Sequence, residues 1–159
     1  MGNLNDLVQL QTDWTFKGYP IRVELILGHY NFPELDDETL TDYRRAFAQL
    51  YGEVIDARPQ PTKVRITSKL EEDIQKVLIE HNGNQIRADI LNTLNRNIQR
   101  TLRGEPTYTT PGRHGNIMAA KILRKYGGTL KLSNINQDEY YIQTLIEIPI
   151  PKTSTLPSF

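Results

Sequence analysis

The sequence has 159 residues, which is enough for one domain with a buried core. Its 19 basic and 19 acidic side chains cancel to zero formal charge, so no overall field steers it toward nucleic acid or a membrane. Cysteine is absent, which excludes disulfides, thiol catalysis and thiolate metal sites. No apolar run approaches the ~20 residues of a membrane span, and no signal-peptide pattern occurs. We therefore expect a cytoplasmic protein without a membrane span.

The N-terminal third of the chain predicts one strand followed by one helix. Residues 1–19 are assigned to an N-terminal extension without a predicted element. Residues 20–27 alternate between apolar and polar side chains and then turn apolar, which is typical of a strand. A helix is predicted over 37–57, because its apolar residues fall on one face and Asp36 or Asp37 can cap its first turn.

The middle of the chain predicts a hairpin and then a second helix. Residues 63–70 and 74–80 both alternate, and the acidic residues 71–73 between them favour a turn. Residues 81–85 break the pattern with the turn-forming run His-Asn-Gly-Asn-Gln. A polar helix with one apolar stripe is then predicted over 87–102.

The C-terminal third predicts a loop, a short helix and two strands. Residues 103–116 are rich in Gly, Pro and Thr and lead into an amphipathic helix that stops at Gly127-Gly128. Strands are predicted over 129–133 and 140–148, with a turn over 134–138 between them.

These elements predict an α+β fold. Strands outnumber helices, neighbouring strands are mostly linked by hairpins, and each helix has one apolar side. The expected architecture is a two-layer sandwich in which helices pack on one face of a mixed, mostly antiparallel sheet. The domain is assigned to residues 20–150, and the Pro-, Ser- and Thr-rich residues 151–159 to a flexible tail.

The segment from Gly112 to Leu130 gives the clearest indication of a binding site. A glycine-containing loop runs directly into the start of a helix, and this arrangement commonly holds phosphate. The segment is therefore a nucleotide site or the remains of one.

The order and spacing of four segments resemble the ATP-binding domain of histidine kinases and of related ATPases such as gyrase. The resemblance covers roughly residues 20–150, and its segments are Lys63–Ile66, Val77–Gly83, Gly115–Gly128 and Tyr141–Pro149. It implies the fold predicted above, a site for ATP and magnesium, and a role in bacterial two-component signalling.

The resemblance also implies two motif positions in the first part of the domain, and both hold altered residues. The asparagine that binds magnesium and phosphate falls on Glu53, with Gln49 one turn earlier. A carboxylate can hold magnesium but repels phosphate. The aspartate that accepts a hydrogen bond from the adenine amino group falls on His81, and the first glycine of that motif is kept as Gly83.

The third motif implied by the resemblance is a Gly-x-Gly loop beneath the phosphates. Its second glycine is kept as Gly115, whereas Arg113 replaces the first. The guanidinium of Arg113 either reaches a phosphate or fills the space that a phosphate needs. With all three motifs altered, we expect no cofactor, and ATP with magnesium at Glu53 only if the altered site is still competent.

The same residues can also be explained by their role in the fold, without any ligand. Gly83 is explained as a turn glycine, and His81 is expected at the solvent edge of that turn rather than as a ligand or base. The basic residues Arg113, Arg124 and Lys125 predict a surface for an acidic protein partner or a phosphate, although such runs are usually solvated faces.

Three functions stay open from the sequence. The first is a degenerate histidine-kinase-like domain that acts as a non-catalytic signalling and protein-binding module. The second is an ATP-binding phosphotransfer domain of a histidine kinase or an anti-sigma-type protein kinase, and the third is an unrelated partner-binding domain. Autophosphorylation is not expected, because no helical hairpin carries a phosphoacceptor histidine. The sequence favours a protein partner in signal transduction, does not favour nucleic acid and leaves a homodimer open.

Overall fold

The computed structural model describes residues 2–28, 31–107 and 114–151. None of the helices in this part of the chain is long and apolar enough to cross a membrane. The elements follow one another as α1 (Leu4–Phe16), β1 (Arg22–Leu27), α2 (Asp37–Asp56), β2 (Lys63–Glu71), β3 (Ile74–His81), α3 (Ala88–Leu102), α4 (His114–Arg124), β4 (Thr129–Gln137) and β5 (Tyr140–Pro149).

The five strands form one open sheet in the order β1-β2-β3-β5-β4. β1 runs parallel to β2, with Arg22 opposite Lys63, and every other neighbouring pair is antiparallel. The predicted hairpin is therefore present as β2 and β3. The mixed, mostly antiparallel sheet is confirmed.

The helices cover one face of this sheet. Alternate strand residues point to the helices and are at most 1% exposed, as at Val64, Ile66, Val77 and Ile79. The opposite, partly exposed face carries ion pairs between neighbouring strands, such as Arg65 with Glu80 and Lys76 with Glu147. This period of two is what one buried and one solvated face requires. The predicted two-layer α+β sandwich is confirmed.

Helix α1 belongs to the core, although no element was predicted for residues 1–19. Its buried residues Leu4, Leu7, Val8 and Phe16 are each at most 5% exposed. At its N-terminus Asn3 forms a capping box. The Asn3 side chain accepts a hydrogen bond from the N–H of Asp6, and the N–H of Asn3 donates one to the Asp6 carboxylate. The N-terminal segment therefore completes the helical layer.

The turn predicted over 134–138 is wrong, because β4 continues to Gln137. The chain reverses at Asp138-Glu139, which adopt φ values of 54° and 65°. The side chain of Asn134 accepts a hydrogen bond from the N–H of Ile86 at 2.9 Å and donates one to its carbonyl at 2.6 Å. Asn134 thus fastens β4 to the loop before α3 instead of closing a local turn. The tail 152–159 lies outside the described residues.

Candidate functional site

A cavity of about 250 Å³ lies between the C-terminal half of α2 and the sheet. Glu53 and His81 both line it, so the structure brings together two positions that the resemblance marks. A neighbouring hollow of about 380 Å³ shares Glu53 and is also lined by Gln49 and Gly115. Gly83 follows β3 and lies directly beside the imidazole of His81. The five predicted positions that the structure describes therefore lie in one region beside α2.

Glu53 is engaged by the start of α4. The N–H of Gly115, the second residue of α4, donates a hydrogen bond to Glu53 Oε1 at 2.6 Å. N–H groups in the first turn of a helix have no acceptor within the helix, and the helix dipole favours a negative charge there. The Glu53 carboxylate thus occupies the anion position at this helix end, which the resemblance assigns to phosphate.

Replacing Gly115 with alanine is expected to destabilise the domain by about 1–3 kcal/mol, because the new methyl group overpacks the contact between α4 and α2. A Cβ at this position would lie 2.7 Å from Glu53 Oε1 and 2.8 Å from the carbonyl oxygen of Gln49. The carbonyl belongs to the middle of α2 and cannot move aside. The overlap outweighs the gain of up to ~1 kcal/mol in helix propensity. Urea denaturation measures the change.

Gly52→Ala provides the matched control for this substitution. Gly52 also lies within a helix, but a Cβ added there would meet no atom of a neighbouring element within 4 Å. Alanine should therefore stabilise the domain there by about 0.5–1 kcal/mol. Equal stabilisation by both substitutions would contradict the close approach of α4 to α2.

His81 is buried rather than located at the solvent edge of a turn, so that expectation is wrong. β3 extends one residue further than predicted, and His81 lies opposite Val64 on one side and Ile142 on the other. These neighbours leave the side chain only 6% exposed. The N–H of Gly83 donates to His81 Nδ1 at 3.0 Å. A Cβ on Gly83 would lie 2.9 Å from the ring, so glycine provides room for the imidazole.

The hydrogen bond at Nδ1 fixes what His81 can offer to a ligand. Because Nδ1 accepts a bond, the imidazole is neutral in this arrangement and carries its proton on Nε2. Its second nitrogen is therefore a donor. The position that the resemblance assigns to adenine recognition requires an acceptor for an amino group. His81 does not supply that acceptor.

Asn116 contributes a further polar side chain to the cavity, and the sequence did not predict this residue as part of the site. It follows Gly115 in α4, is 2% exposed and lines the cavity. Its Nδ2 meets no hydrogen-bond acceptor among the described residues. A buried N–H without a partner costs about 1–3 kcal/mol. The sequence signal was an asparagine placed among the apolar residues of the buried face of α4.

Arg124 and Lys125, the two predicted partner-binding residues that the structure describes, point in different directions. Arg113 lies outside the described residues. The guanidinium of Arg124 lies against Gly104, and with Lys121 it lines a separate hollow of about 340 Å³. Arg124 therefore faces α3, whereas Lys125 is directed toward α2. Their role in partner binding stays a prediction.

The charge of Lys125 is neutralised within the domain. Its ammonium group lies 2.7 Å from Glu38 and 3.0 Å from Asp42. The Tyr126 hydroxyl also donates to Asp42, and these two donors hold the pKa of the Asp42 carboxyl below its usual range. The interaction with Glu38 and Asp42 raises the pKa of Lys125. Lys125 therefore links the end of α4 to the start of α2.

Two described residues differ in chemistry from the residues that the resemblance implies for magnesium-ATP. Within the described ranges, no group of three or more His, Asp or Glu side chains is placed to hold a metal ion. Glu53, the predicted metal ligand, is hydrogen-bonded to Gly115 and presents negative charge where phosphate is required. His81 presents a donor where the adenine amino group requires an acceptor.

The structure is similar to solved catalytic domains of histidine kinases. It matches the nucleotide-free catalytic domain of the histidine kinase ThkA with a TM-score of 0.71 at 20% identity, over 92% of this chain and 93% of that domain. It matches the ATP-binding domain of PrrB from Mycobacterium tuberculosis with a TM-score of 0.66 at 14% identity, over 94% of this chain and 96% of that domain. It matches the histidine kinase domain of the E. coli osmosensor EnvZ with a TM-score of 0.63 at 16% identity, over 99% of this chain and 92% of that domain.

No family model and no curated protein sequence matches this chain. Each of these three structures is at most 20% identical to this chain in sequence, so the similarity concerns the fold. They agree with the resemblance in the order of segments along the sequence. The chain therefore has the fold of the catalytic, ATP-binding domain of histidine kinases.

Proposed function

We propose that this domain is a degenerate histidine-kinase-like domain that does not bind magnesium-ATP and acts as a non-catalytic, protein-binding module in bacterial signalling. The observation that carries the proposal is the 2.6 Å hydrogen bond from the Gly115 N–H to the Glu53 carboxylate. An intramolecular carboxylate takes the place of a phosphate at the start of α4. Such a module would act in the cytoplasm.

Electrostatics supports the loss of phosphate binding. A triphosphate brought to the start of α4 would meet the Glu53 carboxylate at close range, and like charges repel strongly where solvent is partly excluded. The nucleotide would also have to replace Glu53 as the acceptor for the Gly115 N–H. Binding would thus lose a charge-assisted hydrogen bond before it gained one.

The base end of the site supports the same proposal. Adenine recognition of the kind that the resemblance implies needs an acceptor, and His81 provides a donor because Gly83 already occupies Nδ1. The two ends of the site therefore disfavour the same ligand for independent reasons. Restoring one end alone would leave the other unsatisfied.

The second candidate is an ATP-binding phosphotransfer domain. The structure named above as the ATP-binding domain of PrrB has the same fold. The cavity of about 250 Å³ also offers space to a small ligand, and the Nδ2 of Asn116 offers it a donor that no described residue engages. A direct binding measurement separates this candidate from the first.

Magnesium-ATP and magnesium-ADP at about 5 mM are expected to leave the Tm of the wild-type domain unchanged within a degree. A ligand at 100 times its Kd stabilises the folded state by about 2.7 kcal/mol, which raises Tm by several degrees. Differential scanning calorimetry measures the shift. The double variant Glu53→Asn/His81→Asp restores the family residues in two of the three altered motifs and should show a concentration-dependent rise. A saturable rise for the wild type would overturn the proposal.

A further inference from the structure

A groove between α1 and α2 carries the two most exposed large apolar side chains among the described residues. Trp14 is 80% exposed and Leu10 is 68% exposed. The groove has a volume of about 700 Å³. We call it the α1–α2 groove, and its main residues are Leu10, Trp14, Lys17, Arg44, Arg45 and Ala48.

Leu10 and Trp14 have no role in the core of the domain. They are spaced by four residues and therefore share one face of α1. The opposite face of the same helix holds the buried residues Val8 and Phe16. Helix α1 is thus apolar on two sides, and only one side is covered. An exposed tryptophan next to a leucine in a concave surface is typical of a protein-binding site.

The rim of the α1–α2 groove is positively charged, although the whole chain has no net charge. Lys17, Arg44 and Arg45 stand around it, and Asp13 is the acidic residue beside them. Neither Lys17 nor Arg44 forms an ion pair with another described residue, and Arg45 lies 3.8 Å from Asp42 in an exposed pair. The basic charge of the rim is therefore largely uncompensated.

We propose that the α1–α2 groove binds an amphipathic helix of a protein partner. Aliphatic side chains of that helix would pack on Leu10 and Trp14, and acidic side chains would face Lys17 and Arg44. The groove between two helices has the shape for this mode of recognition, and its charge selects an acidic partner. The inference rests on the proposed protein-binding function and names the surface and the chemistry of its ligand.

The charge of the rim argues against a second copy of this chain as the occupant. A symmetric dimer through the groove would place the same patch on both sides, so that Arg44 and Lys17 would face cations of the other copy. Like charges at an interface are unfavourable. A partner with acidic side chains removes this repulsion. The concave shape also favours a helix over the flat surface of a lipid bilayer.

Trp14 is the one tryptophan of the chain, so its fluorescence reports on the groove directly. The probe is a helical peptide of about 16 residues with leucines on one stripe and glutamates beside them. Titration should shift the emission of Trp14 to shorter wavelength with saturation. A control peptide with the same leucines and with lysines in place of the glutamates should bind at least about tenfold more weakly.

Variants assign the binding to the groove. Anisotropy of the labelled glutamate peptide should show about tenfold weaker binding for Leu10→Ala and for Arg44→Glu. Arg96→Glu makes the same charge change at an exposed position of α3 and should leave binding unchanged. All three positions are exposed, so folding is preserved.

The remaining outcomes overturn the inference. They are equal binding of both peptides, no binding of either peptide, or a shift of Trp14 emission with anionic phosphatidylserine vesicles but not with the glutamate peptide. If sedimentation shows that the wild-type domain is a dimer and that Arg44→Glu is a monomer, the groove binds a second copy of the chain instead. Repeating the titration with magnesium-ATP separates the two proposals, because nucleotide binding would contradict the proposed function while the peptide result stands alone.

Discussion

Removal of residues 1–19 is expected to unfold the domain. These residues include Leu4, Leu7, Val8 and Phe16, all of which are at most 5% exposed in the structure. Burial of each such side chain contributes about 1.5–3 kcal/mol. Their sum is comparable with the whole stability of a typical domain, about 5–15 kcal/mol. Far-UV circular dichroism and resistance to proteolysis measure the loss of structure.

Two point substitutions in α1 test the same account without truncation. Leu7→Ala should reduce the free energy of unfolding by about 2–5 kcal/mol, because it leaves a cavity in the core where Leu7 is buried. Leu10→Ala, one turn later and 68% exposed, should change it by less than about 0.5 kcal/mol. A folded truncated domain, or equal effects of the two substitutions, would show that α1 does not complete the core.

The sequence predicted the elements whose signals are local. The β2–β3 hairpin was recognised because its alternation and its turn lie within about twenty neighbouring residues. Helix α2 was recognised from its single apolar face and its cap, and Asp36 does accept the N–H of Thr39 at 2.8 Å. Helix α1 was missed because Leu10 and Trp14 lie on its polar side and blur the pattern of one apolar face.

The candidate site was predictable in position but not in chemistry. The family resemblance implied Glu53, His81 and Gly115 as positions of one site, and the structure places them around one region. The hydrogen bond from Gly115 to Glu53 joins residues 62 positions apart and depends on how α4 packs on α2. The burial of His81 likewise depends on the pairing of β3 with β5. No local pattern contains either contact.

Replacing Arg65 with methionine is expected to reduce the free energy of unfolding by about 3–5 kcal/mol, because it leaves a buried carboxylate without its cation. Arg65 lies directly opposite Glu80 on β2 and β3, and its Nε lies 2.9 Å from Glu80 Oε1. The Glu80 side chain is only 5% exposed, so water cannot replace the lost partner. Chemical denaturation at neutral pH measures the difference.

Lys69→Met is the matched control on the same strand and the same face of the sheet. Lys69 pairs with Glu71 at 3.0 Å, but both side chains are more than 40% exposed. Ion pairs of this kind are screened by solvent, so their loss costs no more than about 1 kcal/mol. The double variant Arg65→Met/Glu80→Gln removes the buried charge along with its partner and should recover more than half of the loss. If Arg65→Met cost no more than Lys69→Met, burial of the carboxylate would not determine the stability of this pair.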